Sequence, residues 1–561
     1  MGRKGPALNR YLFFSLLTLG IAFRIVLLTQ YEFVNGGEVD VYLADEGVVG
    51  LMGKHILEAR EAPVFFYGQA YLGALEAYLA ALSFSLFGVN LLGLRLVTLA
   101  FSFVLLGAVY TFTYRIYSVA AARWATALVA VSPMYFLQWN LKARGGFIEH
   151  IVLLFFVMML FWRFYLGHDR RRSVSGLLGF VSGVAFWVNQ LMLSYLIPMT
   201  VLVAREGTDR RGLKSLLVGF CIGASLLIGY NVVHPLATFR SLARKSVVLN
   251  RVPIEKRDEM WLVRGIAKRV EGLGHSAAKL GMVFGVPPGE ELAHLGLNEQ
   301  ARAGGDLTPL RRGTALVPLL VFGVAFAGCR PRRSPDGWIW RGSDQLLALF
   351  TLMTFAVGYV SPRYMLPAYP LAAVMSGVLV TRLRDRTRRS LMVAGIVAVL
   401  AFNVLGWVDV SAAVGGGSDG RSRELLSVLR GQGLTRCYSA GPLYHVVFSA
   451  GEEVIISPLQ KDRYPAYDAV VLASPTFCYI FRDDQRGKRQ HLAMMNLLEE
   501  RGVDLQDVKA GPYNVVFSAA SAVGIGPDDL ARLRRPGDPE VSLKALFDDT
   551  RDGDQLRPEL H

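Results

Sequence analysis

The sequence predicts a mostly α-helical, polytopic membrane protein that ends in a small soluble α/β domain, and three observations carry that reading. Hydrophobic residues make up 52% of the chain and charged residues only 19%, where soluble proteins average about 25% charged. Apolar runs of roughly 20 residues, long enough to cross a hydrocarbon core, recur from Tyr11 to about Val410 and then stop. Short Arg/Lys clusters separate many of those runs, the pattern that marks cytoplasmic loops.

The net charge of +15, from 60 Lys plus Arg against 45 Asp plus Glu, is therefore mainly topological and gives no reason to expect nucleic acid as a partner. The clusters are Arg3/Lys4/Arg10, Arg115/Arg123, Arg163/Arg170/Arg171/Arg172, Arg205/Arg210/Arg211/Lys214, Arg330/Arg332/Arg333/Arg341 and Arg382/Arg384/Arg386/Arg388/Arg389. With the N-terminus in the cytoplasm, about 11 spans satisfy them: 11–29, 91–115, 121–140, 149–167, 174–188, 190–204, 213–231, 313–329, 344–360, 363–381 and 391–410. One missed or extra span would carry later clusters outside. That constraint also splits the apolar run Gly176 to Ala204 at Trp187-Val188-Asn189-Gln190. No small-residue cleavage site follows the first run, so it reads as a retained span and not a signal peptide.

Four segments then face outward: 30–90, the turn near 140–149, the long loop 232–312 and everything after Val410. In the first, Val48, Val49, Leu51, Met52, Ile56 and Leu57 recur at helical spacing, which predicts a surface helix over 46–59. Asp45 would stand at or just before its N-terminus, where an acid either caps the helix or does chemistry. Pro63 breaks the pattern, and a second helix is expected from Tyr67 to Gly88, with Tyr67, Tyr71 and Tyr78 at an interfacial belt. Glu76 is the one charge in that stretch, facing either headgroup water or a polar cavity.

The turn "QWNLKARGGFIEHIV" offers Lys142, Arg144, Glu149 and His150, with Gly145-Gly146 permitting close backbone approach. A glutamate at the top of a span is costly unless used, so Glu149 is a candidate acidic site. The third outer segment begins with Arg240, Arg244, Lys245 and Arg251, which suit phosphate or simply anionic lipid. "SPRYMLPAYPLAAVMSG" places Arg363 and Tyr364 where a late span is entered, and Arg363 either meets phosphate or snorkels to headgroups. His55, His150 and His234 are not at ligand spacing, so nothing indicates a dedicated site for a divalent metal, and no cofactor is expected with certainty.

Taken together, an acidic pair after the first span, an amphipathic helix, a Pro, a Tyr/Gly-rich segment ending in "LFG", Arg95 opening the next span, and the Arg-Tyr-x-Leu-Pro element at Arg363 resemble the polyprenyl-phosphate-dependent GT-C glycosyltransferases. The branch that fits best contains the protein O-mannosyltransferases and the lipid A aminoarabinose transferase, the family 39/83 type. The resemblance covers about residues 10–410 and implies the GT-C membrane fold. It implies an inverting transfer of a sugar from a polyprenyl-phosphate donor to an acceptor hydroxyl at the outer face of the cytoplasmic (inner) membrane. Asp45 matches the acceptor-activating acid and Glu46 its neighbour; Arg363 and Tyr364 fall to the donor phosphate, with Arg240, Arg244 and Lys245; Glu149, Glu76 and Tyr71 fall to an acceptor or second acidic site. A glycan, a lipid or a protein would be the acceptor. A transporter or flippase, expected to show internal repeats and mid-span acids, and a sensory protein with a ligand-binding outer domain remain the competing readings.

After Val410, short pieces alternate: "RELLSVLRGQGL" helix, "TRCYSAG" strand, "PLYHVVFSAG" helix, "EEVIISP" strand, "YDAVVLASP" strand, "HLAMMNLLEERGV" helix and "GPYNVVFSA" strand. This is an extracytoplasmic α/β domain over 411–525 without a nucleotide-binding glycine motif, followed by a charged, loosely ordered tail over 526–561. Cys221 and Cys329 sit at apolar runs and read as small hydrophobes. Cys437 and Cys478 lie in the soluble part and could pair if it faces an oxidising space, a choice the sequence leaves open.

Overall fold

The computed structural model describes residues 8–34, 40–169, 171–205, 210–245, 283–284, 316–328, 333–334, 337–338, 342–358, 362–414, 421–459, 463–474, 478–483, 485–499, 502 and 504–518. Most of the 232–312 loop and the whole 526–561 tail lie outside the described residues, as do the side chains of Arg244 and Lys245. The chain divides into two compact units: Met1–Val39 with Met52–Ser418, and Asp40–Leu51 with Asp419–His561.

The first unit is helical: α1 Arg10–Val34, α2 Asp40–Leu57 from its Met52 onward, α3 Leu75–Phe87, α4 Leu91–Ile116, α5 Val119–Ala130, α6 Met134–Leu141, α7 Phe147–Tyr165, α8 Arg172–Val188, α9 Leu193–Arg205, α10 Arg210–Gly223, α11 Ser225–Val233, α12 Ala237–Lys245, α13 Leu316–Gly328, α14 Ser343–Gly358, α15 Ala368–Arg382 and α16 Arg386–Val414. Each expected span coincides with a helix or a bent helix pair. Among the described residues five helices are long and apolar enough to cross a membrane, up to seven if each bent pair is one span. The expected eleven are not reached by this measure; α8, α9 and α13 are apolar but shorter. The break expected at 187–190 is present, with the Asn189 side chain accepting from Leu191 N–H as the next turn starts.

One of the bent pairs is α5 and α6, which meet at 80° across Val131-Ser132-Pro133. The Pro prevents α5 from continuing, and α5's last carbonyls are left without helical partners. Side chains from three other helices supply the donors. Tyr369 Oη donates to Leu128 O at 3.0 Å, Arg24 Nη2 to Val129 O at 2.9 Å and Arg24 Nη1 to Ala130 O at 2.6 Å. Asn403 Nδ2 donates to Val131 O at 2.7 Å and Trp407 Nε1 to Ser132 O at 2.9 Å. Arg24 is 1% exposed, and its Nε also donates to Ser102 Oγ.

Close backbone approach sets a second contact. Gly176, Gly179 and Gly183 of α8 face Gly219 and Gly223 of α10, and a Cβ on most of them would overlap the opposite helix's carbonyls. Small residues at such spacing are how helices pack tightly where lipid supplies no hydrophobic drive between them. Cys221, between those glycines, is exposed on α10 and not a buried thiol. Between α7 and α8, Asp169 accepts from Arg163 Nε at 2.7 Å and Arg171 Nε at 2.9 Å. The bonds from Arg171 and Arg163 hold its carboxyl well below the ordinary carboxylate range, so part of that basic cluster is locally neutralised.

Two expected helices differ. The segment from Tyr67 begins as a hairpin, with β1 Phe65–Phe66 antiparallel to β2 Gln69–Gly73, and helix starts only at Leu75. Gly68, at φ +65°, turns the chain, which helical periodicity alone does not register. Tyr67 is buried there and donates to Glu61 Oε2 at 2.6 Å, so it does not belong to an interfacial belt. Helix α2 starts at Asp40 and not at 46, which places Asp45 in its second turn, beyond capping positions.

In the first unit a short hairpin pairs β3 Arg333–Ser334 with β4 Gly337–Trp338. The second unit holds a five-stranded mixed sheet in the order β6-β5-β7-β9-β8, where β5 is Arg436–Ser439, β6 Ile455–Pro458, β7 Cys478–Arg482, β8 Gln506–Ala510 and β9 Tyr513–Phe517. Strands β5/β6 and β5/β7 are parallel; β7/β9 and β8/β9 are antiparallel. Cys437 and Cys478 stand opposite each other in register on β5 and β7 and form a disulfide. Helices α17 Arg421–Gly431, α18 Tyr444–Ser449, α19 Ala466–Leu472 and α20 Gln485–Glu499 complete the unit, together with Asp40–Leu51. The strand expected in "YDAVVLASP" is α19: Pro465 opens the turn, and Tyr467 and Val471 are buried at i, i+4 while Val470 and Leu472 are exposed.

Replacing Arg24 by Met strips the Val129 and Ala130 carbonyls of their donor, at about 1–3 kcal/mol for each buried orphan. The expected outcome is a clear drop in the thermal midpoint of the detergent-purified protein. Arg24→Lys recovers only part of it, because an ammonium cannot span the carbonyls and Ser102 as the fork does. An unchanged midpoint for Arg24→Met would refute this account of the bend.

Candidate active site

The geometry richest in polar groups surrounds the loop from α6 to α7. Gly145 and Gly146 sit at φ +82° and +83°, so their successive N–H groups point to one side. Glu76 of α3 fills that concavity, its Oε2 accepting from Gly145 N at 2.6 Å and Gly146 N at 3.2 Å. The carboxylate is 2% exposed, and this is what makes its burial tolerable. Neighbouring breaks pack against the same loop: Leu72 of β2 forms a bridge to Asn189, and a Cβ on Gly146 would lie 3.1 Å from Val188.

Just before the loop, Trp139 on α6 receives two guanidinium groups. Arg144 Cζ lies 4.2 Å from its ring centroid and Arg363 Cζ 6.0 Å. Arg363 comes from the turn Pro362–Met365 before α15; it also lies 5.9 Å from the Phe147 ring, and its Nη2 meets Tyr364 Oη at 3.2 Å. Trp139 and Phe147 themselves meet at 5.0 Å. An aromatic face attracts a cation, yet two like charges converging on one indole also raise the local positive potential. The arrangement suits a multiply charged anion that can accept from two forks.

Farther along α7, Glu149 is fully buried with both carboxyl oxygens lacking hydrogen-bond partners, and neither ring nitrogen of the buried His150 has one. The His150 ring stands 6.0 Å from Tyr195, whose hydroxyl pairs with Thr354. Buried polar atoms left in this condition are uncommon and mark sites that a ligand or water completes.

Among the residues singled out from sequence, the structure therefore gathers Arg363 and Tyr364 with Arg144, and places Glu76 against the Gly145-Gly146 loop and Glu149 on the first turn of the helix that follows it. Tyr71 donates to Gln69 of the same strand. Arg240 is exposed on α12, and the Arg244 and Lys245 side chains lie outside the described residues. Asp45 and Glu46 belong to the other unit. There Glu46 is buried, and Asp45 Oδ1 is paired with Arg463 Nη2 at 3.2 Å. Sequence reasoning missed the pairing of Arg144 with Trp139; the signal was the five-residue spacing across the turn, which is uninformative until Gly145-Gly146 fold it. Among the described residues no group of three or more His, Cys, Asp or Glu gathers as a metal site.

Glu76→Ala leaves the two glycine N–H groups unpaired and is expected to destabilise by about 1–3 kcal/mol for each, seen as a lowered thermal midpoint. Glu76→Gln retains an acceptor and is expected to lose less. Equal midpoints for the Ala variant and the parent protein would show that the loop is held by something else.

Comparison with known proteins follows the same lines. Residues 74–233, which include Glu76, Trp139, Arg144 and Glu149, match the family described as dolichyl-phosphate-mannose-protein mannosyltransferase. The crystal structure of ArnT from Cupriavidus metallidurans bound to undecaprenyl phosphate superposes with a TM-score of 0.56 at 12% identity, covering 91% of this chain and 99% of that one. The apo structure of the same protein gives a TM-score of 0.54 at 12% identity, covering 92% and 98%. No curated protein matches the chain by sequence at a significant level. Residues 74–233 thus match the mannosyltransferase family model, and the chain shares the fold of ArnT.

Proposed function

We propose that this protein is an integral-membrane, inverting glycosyltransferase that moves a sugar from a polyprenyl-phosphate donor to an acceptor hydroxyl at the outer face of the cytoplasmic membrane. The observation that carries the reading is the convergence of Arg144 and Arg363 on Trp139, because Arg144 and Trp139 lie in the segment that matches a polyprenyl-phosphate-sugar-using family. The undecaprenyl phosphate bound by ArnT supports a lipid phosphate as the anion. Arg240, Arg244 and Lys245 are assigned to the donor phosphate as well.

The chemistry asks little of an acid. The bond that breaks joins the anomeric carbon to a phosphate oxygen, and the departing phosphate is already a weak base. The bond that forms needs a proton removed from the acceptor hydroxyl as its oxygen attacks from the opposite side, and a carboxylate supplies that base. Asp45 takes the role, with Glu46 beside it; Glu149 and Tyr71 serve the acceptor or second acidic site, and Glu76 shapes it by holding the Gly145-Gly146 loop. Acceptor classes with a suitable hydroxyl are proteins, lipids and glycans.

The topology that goes with this function has the N-terminus in the cytoplasm, about 11 spans and an extracytoplasmic C-terminal domain over 411–525. The Cys437–Cys478 disulfide supports that side for the domain, since such bonds persist in oxidising spaces.

Two measurements separate the roles. In purified protein given a radiolabelled undecaprenyl-phosphate sugar, Asp45→Asn is expected to lower turnover by about 10²–10⁴-fold while donor binding persists; unchanged turnover removes Asp45 as the base. Arg363→Gln is expected to weaken binding of undecaprenyl phosphate about tenfold, through loss of a charge-assisted fork. Parent-like affinity in a normally folded variant would take Arg363 out of the phosphate site.

A further inference from the structure

Helix α2 enters the second unit with Asp45 on its second turn, and three contacts tie that turn down. The first is packing between helices. Gly47 lies so close to α18 that a Cβ would overlap the backbone of Tyr444 and His445, coming within 2.6 Å of His445 Cα. One turn later, a Cβ on Gly50 would stand 2.8 Å from the Phe448 ring. Two glycines at i, i+3 thus let α2 lie directly on α18.

The second contact runs from α18 to the chain after β6. The Tyr444 hydroxyl accepts from Arg463 N–H at 2.6 Å, and Tyr444 is itself 1% exposed. The third closes the circuit: Arg463 Nη2 donates to Asp45 Oδ1 at 3.2 Å. Residues 418 positions apart are joined directly in this way, while the buried Tyr444 holds the Arg463 backbone. Among the described residues this is the one hydrogen bond that the Asp45 side chain makes, so Oδ1 is taken and Oδ2 is the oxygen left to face a reactant.

We propose that the C-terminal α/β unit serves the reaction as a clamp on the base, with Arg463 as the positioning residue that fixes the Asp45 carboxylate and Gly47 as the packing residue that seats its helix. This inference rests on the assignment of Asp45 as the base. The physical argument is one of orientation. An unpaired aspartate rotates freely about two bonds, and a base must present one oxygen to the acceptor hydroxyl within hydrogen-bond reach. A guanidinium engages one carboxylate oxygen with directional N–H groups and does not exchange its own proton at neutral pH. It therefore orients the carboxylate without competing for the acceptor's proton, and Lys in its place would hold charge with less direction.

The test uses the full-length protein in lipid nanodiscs, with Arg463→Gln, Arg463→Lys, Gly47→Ala and Asp45→Asn. Hydrogen exchange of peptides covering residues 44–51 reports the clamp without any substrate. Release of label from undecaprenyl-phosphate mannose reports turnover. The expected result is faster exchange over 44–51 in Arg463→Gln and Gly47→Ala. Arg463→Gln should also show a kcat lower by about 10- to 100-fold, as slight misplacement of a reacting group produces, with donor KM unchanged and much of the loss recovered by Arg463→Lys. Parent-like exchange over 44–51 in Arg463→Gln overturns the clamp whatever the donor. So does parent-like or increased kcat in Arg463→Gln alongside an inactive Asp45→Asn, and in that case the base assignment survives. If Asp45→Asn keeps full turnover, the base assignment fails and the clamp's catalytic purpose with it.

Discussion

The capped carbonyls at the end of α5 are the constraint on which the rest of the membrane unit depends. Breaking a helix inside an apolar environment exposes carbonyls that no water will satisfy, and such a break persists only where protein groups replace the lost bonds. Here five consecutive carbonyls, Leu128 to Ser132, receive donors from Tyr369, Arg24, Asn403 and Trp407. Those donors come from the first helix and from the last two helices of the unit, so the bend ties the two ends of its chain together. The 80° turn sends α6 off in the direction that presents Trp139 and Arg144. Without the bend, neither the indole platform nor the glycine loop would stand where they do.

The same rule, that every interrupted element has its polar groups met by a neighbour, explains why three chain breaks gather in one place. Gly73 ends β2 and lies 2.7 Å, measured from an added Cβ, from the Trp187 carbonyl. Leu72 bridges to Asn189, and the Trp187 indole donates to Val64 O at 3.0 Å. Gly145-Gly146, the third break, is held by a carboxylate. A cluster of breaks is mechanically useful because loops carry ligand contacts while the helices behind them stay rigid. Glu149 and His150 fit that view: they are on the first turns of α7, directly behind the loop, with their polar atoms not yet satisfied.

How much of this was legible in the sequence follows from the range of each interaction. Apolar length and basic punctuation are local, so the helices and even the 187–190 break could be read directly. The β1–β2 hairpin was missed because apolar periodicity over Tyr67 to Gly88 does not register one glycine at positive φ. The α19 segment reads as a strand because a short apolar run has no distinctive period. The Arg363–Tyr364 element was found by resemblance, but its convergence with Arg144 on Trp139 depends on tertiary approach. Arg24 escapes notice for the opposite reason: one cation inside a long apolar run gives no pattern, although it donates to Ser102 and to the Gly20, Val129 and Ala130 carbonyls.

Asp45 shows best how a role moves once geometry is known. By sequence it stood at a helix start, where capping and catalysis are both reasonable. With α2 beginning at Asp40, a side chain in the second turn no longer meets the unbonded N–H groups of the first. Capping therefore fails as its explanation. What replaces it is an ion pair to Arg463, and exposed pairs of this kind contribute little to stability, typically about 0–1 kcal/mol. With side chains 24% and 22% exposed, this pair still meets solvent that screens it, so its energetic worth to the fold stays modest. A contact that adds little stability, yet requires two glycines and a buried tyrosine to set its geometry, is better understood as a means of orientation. Orientation matters only if the carboxylate has something to face, and the free Oδ2 is the atom through which it would do so.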